Sequence, residues 1–279
     1  MIRLIYFISY NIMSEDKREY ENAIRYIATE FMVSYLGKNI EPEIFNDTPK
    51  LRQLVNDCMT TYPNKVSDPI NEKLDLILQY ELSSKKLIDA TSLGKFSNKY
   101  SVSLWQGDIT NLYIDSIVNA ANSTGLGCFT VGNNCIDNTI HSNAGPRMRE
   151  ECKTRLGDSK IEPGNAIMTL GYNLPCRYVF HTVGPIYDIN NKLIDRLTLI
   201  KCYLNCLNKL KDIKKTSIAF SCISTGSYEY PKEEACVVAL STVKRWIRNN
   251  PDYPVHIVFC VYDDENKELY KHNIPKVFT

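Results

Sequence analysis

Between residues 102 and 261, short runs of β-branched and aromatic residues alternate with stretches of helical periodicity, and few folds accommodate that alternation. The runs predict strands at 102–106, 116–119, 166–170, 178–182, 217–223 and 255–261. Helices are predicted between them at 136–143, 146–156, 194–210 and 232–249. Strands separated by helices pair in parallel, because the helical crossover returns the chain to the same end of the sheet. The expected fold is three-layer α/β/α around a mixed, largely parallel central sheet, with ligands bound where strands end and loops gather.

The first hundred residues read differently. Tyr20, Ala23, Ile24, Ile27, Ala28 and Phe31 mark one face of an amphipathic helix over 17–36. Further helices are predicted at 49–59 and after Pro69. The chain therefore divides into a helical N-terminal extension, 1–98, and an α/β domain, 99–279. The apolar segment 2–12 falls short of the roughly 18 residues that span a bilayer, so it reads as a terminal strand or an upstream start, with Met13 as the true one.

With 33 basic and 32 acidic residues, the chain has no strong field for nucleic acid or an anionic membrane. Its ten cysteines lie mostly in apolar runs such as 220–223 and 258–261, the pattern of reduced core thiols in a cytoplasmic protein. Cys128 and Cys135 are the exceptions, in a polar, glycine-flanked loop between a predicted strand and a helix carrying Asp137 and His141. Asn133 stands between them, and an amide is a poor ligand for a borderline-soft metal ion. His141 reads as a packing residue, because nearly two helical turns separate it from Cys135.

Two other loops follow predicted strands. In Gly107-Asp108-Ile109-Thr110, Asp108 can cap the next turn or accept from an amino group. The stretch from Ile223 to Pro231 leaves a strand and enters a helix, so its backbone N–H groups can cradle a phosphate, with Gly226 allowing close approach. Neither a Walker motif nor G-x-G-x-x-G is present, which disfavours nucleoside triphosphatases and dinucleotide dehydrogenases.

The ordered set Gly107-Asp108-Ile109, Val118-Asn119-Ala120-Ala121-Asn122, Ile136-Asp137-Asn138-Thr139-Ile140-His141 with Ala144-Gly145, His181-Thr182-Val183-Gly184-Pro185 and Ile223-Ser224-Thr225-Gly226 resembles the macrodomains. Gly127-Cys128-Phe129 followed by Cys135-Ile136-Asp137 resembles their zinc-dependent protein ADP-ribosyl hydrolase subfamily, whose members also carry a helical N-terminal extension. The resemblance implies that Asp108, supported by the Ile109 backbone, holds the adenine amino group and that Tyr262 lies against the ring; a plain edge aromatic is the alternative for Tyr262. It implies that Ser224, Thr225, Gly226, Ser227 and Tyr228, with Glu229 and Tyr230 nearby, wrap the diphosphate opposite the amides of Ile136 and Asp137. Asn122 would fix the distal ribose, and Asp137 would orient or deprotonate a water, an N-cap being its alternative role. Zinc would sit on Cys128 and Cys135, weakened or lost because Asn133 replaces the histidine of that subfamily. The implied partners are ADP-ribose and mono-ADP-ribosylated proteins. Two functions follow: a zinc-assisted hydrolase cutting at the distal ribose C1″, or a binding-only reader. A phosphoesterase or deacetylase acting on small metabolites is a third, weaker reading.

Overall fold

The computed structural model describes residues 13–35, 37–96 and 99–278, so segment 2–12 lies outside the described residues. A two-stranded parallel pair joins β1 (Ile88–Asp89) to β3 (Leu112–Tyr113). The main sheet has six strands: β2 (Val102–Gln106), β4 (Ser116–Ala120), β5 (Ala166–Leu170), β6 (Tyr178–Thr182), β7 (Ser217–Phe220) and β8 (His256–Val261). Their order across the sheet is β2-β8-β7-β4-β6-β5, and every neighbouring pair is parallel except β5 with β6. The expected mixed, largely parallel sheet is the one observed. Strand β7 stops at Phe220, three residues before the predicted end, because the chain leaves the ladder where Ser221 Oγ donates to Val118 O and Ser224 takes φ 66°.

The alternation of side chains across each strand produces the layers. Ile117, Val179, Ala219 and Val258 point to one face, where α5 (Ile136–Ala144) and α6 (Pro146–Leu156) cover them with Ile140, Ala144 and Met148. Val118, Phe180, Phe220 and Phe259 point to the other, beneath α7 (Lys192–Asp212), α8 (Lys232–Asn249) and α9 (Asp264–Val277). Strands buried on both faces carry the near-continuous apolar runs that made them legible. Helix α9 was not predicted; few apolar residues, among them Leu269, Tyr270 and Ile274, mark its inner side, and Pro275 interrupts its last turn.

The extension has a core of its own. Helix α1 (Met13–Glu30), continued by a π-helical stretch (Phe31–Tyr35), packs with α3 (Thr48–Thr61) and α4 (Asp68–Ser84), after the short α2 (Pro42–Phe45). Ile24, Ile27, Leu51, Val55, Ile70 and Ile77 are sealed inside it. The predicted single helix over 17–36 is thus an α-helix ending in a wider turn.

Polar contacts join this unit to the α/β domain. Asn173 Nδ2 donates to Asp75 Oδ1 at 2.7 Å, Gln79 Nε2 donates to Asn173 Oδ1 at 2.9 Å, and Arg147 pairs with Asp75. Arg149, 9% exposed, reaches from α6 to the C-terminal end of α3, donating to Met59 O at 3.1 Å and Tyr62 O at 2.7 Å. Its Nε donates to Leu126 O at 2.8 Å, within the loop ahead of α5. A cation at a helix C-terminus meets unsatisfied carbonyls and the negative end of the dipole. Arg149→Ala leaves four carbonyls, those of Met59, Thr60, Tyr62 and Leu126, without this donor and is expected to cost about 3 kcal/mol. Urea unfolding of the full chain measures it, and a loss below about 0.5 kcal/mol, the scale of an ordinary surface change, would remove Arg149 as the link.

Candidate functional site

Because β2, β8, β7, β4 and β6 are parallel, their C-terminal ends lie along one edge of the sheet and their following loops gather there, where sheets of this kind bind ligands. Reading along that edge, Asp108 follows β2, Tyr262 follows β8, the loop 221–231 follows β7, Asn122 follows β4, and Val183 and Gly184 follow β6. Residues far apart in sequence thereby stand in a spatial row.

At the β2 end, Asp108 Oδ1 accepts from Thr110 N at 2.9 Å and Thr110 Oγ1 at 2.7 Å, capping a 3₁₀ turn over Ile109–Asn111. Capping occupies one carboxylate oxygen and leaves the other to accept from a ligand, so the two readings of Asp108 are compatible. Ile109 opens that 3₁₀ turn with its side chain buried in the core. Tyr262 is 81% exposed beside it, an aromatic face open to a ring.

The loop after β7 folds on itself: Glu229 N donates to Gly226 O at 2.9 Å and Tyr230 N to Ser224 O at 3.0 Å. Ser224 at φ 66° and Glu229 at φ 54° hold the left-handed conformation, which Thr225, Ser227 and Tyr228 between them do not. Gly184 is required where the loop after β6 crosses this one, because a Cβ there would lie 2.0 Å from Ser224 Oγ. Tyr230 is buried against Tyr187, ring centroids 5.2 Å apart, so it braces the loop from the core. Burial, with the charge of Asp137 adding to it, holds the Tyr228 hydroxyl above its ordinary pKa. The helix that follows begins at Lys232, with Pro231 as N-cap.

Asp137 is the centre of the β4 end. It is 5% exposed on the first turn of α5, whose start at Ile136 directs backbone N–H groups outward. Its Oδ1 accepts from Asn119 Nδ2 at 2.7 Å and its Oδ2 from Asn122 Nδ2 at 3.1 Å. Burial raises its pKa above the ordinary carboxylate value, while the Asn119 hydrogen bond opposes the rise. Asn122 also donates to Gly127 O at 2.9 Å, and its Oδ1 accepts from Thr124 N at 3.0 Å. As placed, Asn122 spends its amide on orienting Asp137 and the loop. Cys135, not Asp137, occupies the N-cap position, its Sγ accepting from Asn138 N at 3.4 Å.

Behind Asp137 lies a polar chain that was not predicted. Asn119 and His181 are register partners on β4 and β6, and Asn119 Nδ2 lies 3.1 Å from His181 Nδ1. An amide nitrogen only donates, so Nδ1 accepts and the ring proton sits on Nε2, 2.9 Å from Thr169 Oγ1. His141, Cys152 and His181 form the group of three metal-capable side chains found among the described residues, yet both nitrogens of His181 are already hydrogen-bonded. Burial pushes both histidines down to about 3 and Cys152 up to about 12. His141 is therefore neutral, and its 3.6 Å approach to Asp137 is a dipolar contact. It packs under Gly127, which at φ 82° has room for no Cβ: one would lie 2.9 Å from the imidazole Cγ.

The thiol loop departs from the zinc expectation. Asn133 Nδ2 donates to Cys128 Sγ at 3.1 Å and its Oδ1 accepts from Cys135 N at 3.2 Å, so neither end of the amide faces a cation. Burial raises the Cys128 pKa, but the Thr130 N–H and Asn133 amide outweigh it and the net shift is downward; burial moves Cys135 up. Two thiols without a third protein donor fall short of a catalytic zinc set. The residues present do not fit a resident zinc, and no chemical step is derived through one. The thiols are free, like all ten cysteines.

A three-layer α/β protein whose strand-end loops bring Asp108, the 221–231 loop, Asn122 and the buried carboxylate of Asp137 to one edge of the sheet is the class that the fold and site define. Residues 118–239 match the family described as Macro domain. The chain is 37% identical over 235 residues to a protein of Staphylococcus aureus (strain MRSA252) named Protein-ADP-ribose hydrolase, covering 83% of this chain and 86% of that one. It is 40% identical over 189 residues to the human protein ADP-ribose glycohydrolase MACROD2, covering 68% and 43% respectively. A solved Trypanosoma brucei macrodomain in complex with ADP-ribose superposes with a TM-score of 0.63 at 26% identity, over 78% of this chain and 94% of that one. The chain belongs to the macro domain family. No helix among the described residues is long and apolar enough to cross a membrane.

The two buried neutral histidines make stability depend on pH. Their folded pKa values, about 3, lie below the ordinary 6.5, so the unfolded chain binds more protons between those limits. Their contribution is complete above pH 6.5 and declines as pH falls toward 3. Each is expected to remove up to ~1.4 kcal/mol per pH unit in that window. Urea midpoints at pH 7 and pH 5 measure the effect, and equal midpoints would show that the histidines are not held neutral.

Proposed function

We propose that this protein is a hydrolase that releases ADP-ribose from mono-ADP-ribosylated proteins by cutting at the distal ribose C1″. The carrying observation is the order along the sheet edge: Asp108 and Tyr262, then the 224–230 loop, then Asn122 and Asp137. An adenine, a diphosphate and a ribose joined in that sequence match the row group by group. The names of the S. aureus and human relatives, and the ADP-ribose held by the T. brucei macrodomain, support the same assignment.

In this reading the free oxygen of Asp108 accepts from the adenine amino group while Tyr262 stacks on the ring. Backbone N–H groups of the 224–228 loop and of Ile136 and Asp137 surround the diphosphate, which needs donors that bring no counter-charge. Asp137 accepts a proton from a water that attacks C1″; the C1″–O bond breaks, and its electron pair leaves with the acceptor oxygen. Asn119 and Asn122 keep the carboxylate aimed, and its burial strengthens it as a base. A carboxylate acting as base must be ionised, so activity rises with pH through the raised Asp137 pKa, and the acid limb lies above the ordinary carboxylate value of 3.8.

Asp108→Ala is expected to weaken ADP-ribose binding about tenfold or more in calorimetry. Asp137→Asn is expected to retain binding but lower kcat on a mono-ADP-ribosylated protein by ~10²–10⁴ and abolish the acid limb. Full activity in Asp137→Asn would sink its role as base.

A binding-only reader is the second reading, favoured by the engagement of Asn133 with both thiol residues. Zinc, which the family resemblance implied, enters as a proposal through Asn133→His, which supplies a third donor. That variant is expected to gain close to one equivalent of zinc by metal analysis and to turn over faster than the parent. Turnover by the parent at chelator-insensitive rates keeps the hydrolase without the metal; no turnover by the parent and gain in the variant would favour the reader.

A further inference from the structure

We propose that the groove between the extension and α6 seats an acidic segment of the modified protein, making the helical extension part of substrate recognition. The inference rests on the hydrolase reading. The groove has a volume of about 390 Å³ and runs between the segment 59–66, the last turn of α3 with the residues after it, and α6. Tyr62, Pro63, Lys65, Arg149, Glu150 and Lys153 are among the residues that line it. That size suits a ligand rather than a packing defect.

Position is the first argument. In the hydrolase reading the adenine end lies at β2 and the ribose end at β4 and β6, while α6 lies over the β5 side of the sheet, where Glu151 accepts from Leu170 N at 3.0 Å at the far edge and Cys152 Sγ comes within 3.8 Å of His181 Nε2 nearer the strand ends. The protein released by hydrolysis is attached at C1″, the end of ADP-ribose farthest from adenine. The direction from β2 to β4 continues to β5, the strand that α6, one wall of the groove, covers. The two regions share Arg149: it lines the groove, holds Leu126 O, lies with its guanidinium carbon 4.6 Å from the Phe129 ring centroid, and its charge is felt by Asp137.

Charge is the second argument. Lys65 and Lys153 are both exposed, and neither has an ion-pair partner among the described residues. With Arg149 they set three cations against Glu150 in the lining. Glu150 Oε1 is shielded from solvent and has no hydrogen-bond partner. The charge left exposed in the lining is that of the lysines, which acidic side chains of the segment would meet. Complementary charge of this kind selects partners and steers encounter.

The test uses the full chain and two mono-ADP-ribosylated peptides, one with aspartate and glutamate around the acceptor, the other with asparagine and glutamine. The expected result is a KM roughly tenfold lower for the acidic peptide. Lys65→Glu/Lys153→Glu should erase that preference through KM with little change in kcat, and ADP-ribose affinity should be unchanged in calorimetry. The acidic-peptide preference should also fade as salt rises. Equal KM values for the two peptides in the parent, or a preference that survives the double reversal, would overturn the groove assignment while leaving the hydrolase reading intact. Failure of the parent to bind ADP-ribose would instead overturn the pocket itself, and the groove with it. A dimer in sedimentation that the double reversal dissociates would assign the groove to a second copy and also overturn the proposal.

Discussion

Burying the Asp137 carboxylate costs several kcal/mol unless donors reach it, and every donor has to be carried in by a separate piece of the fold. Asn119 comes from the last turn of the β4 ladder and Asn122 from the loop beyond it. His181, paired in register with Asn119, accepts the second amide hydrogen of Asn119 and so fixes the way the amide faces. Thr169 then meets the other side of the imidazole from β5. The carboxylate is thus positioned by a chain across three strands, and a shift of register by one residue would turn each of those side chains to the opposite face. The requirement to satisfy one charge and the requirement for a unique sheet register are the same requirement.

Arg149 carries that constraint out to the extension. Its guanidinium meets carbonyls at the end of α3 and the Leu126 carbonyl at once, so the helical unit and the loop in front of α5 share one cation. The charge also favours ionised Asp137 and disfavours protonated His141. Five donors in a rigid fork can serve several carbonyls at fixed angles, which a lysine could not. The extension, with a separate apolar core, is coupled to the strand-end loops through polar contacts whose loss the cores would survive.

How much of this the sequence discloses depends on whether a feature is local. The buried parallel strands were readable because they are apolar on both faces, and the 119–141 loop because polar residues and glycines cluster there. Asn119 and His181 stand 62 residues apart, and only pairing of β4 with β6 brings them together. Arg149 sits in PRMREECKTRL, where no pattern separates one functional cation from its charged neighbours. Helix α9 was missed for a related reason: its few buried residues, Asn266, Tyr270 and Ile274, give too thin an apolar stripe for periodicity to register. The role expected of Asn122 comes from the family resemblance of Val118-Asn119-Ala120-Ala121-Asn122, whereas its partners, Gly127 and Asp137, become visible only when the loop closes.

Asn133 shows what holds such a loop when a metal ligand is replaced by an amide. Its side chain bridges Cys128 Sγ and Cys135 N, and its carbonyl accepts from Asn138 Nδ2 at 2.8 Å, so three hydrogen bonds span the stretch that zinc would otherwise cross-link. Each such bond contributes about 1 kcal/mol net, against the ten or more that a structural zinc can supply. The loop is correspondingly less tightly tied than a zinc-bound one would be. Asp137 does not share that softness, because its own partners come from Asn119 and Asn122 rather than from the thiols. The arrangement therefore separates two tasks that a zinc site would combine: Asp137 is oriented from the sheet and the loop after β4, while the thiol loop is held by the Asn133 side chain and backbone.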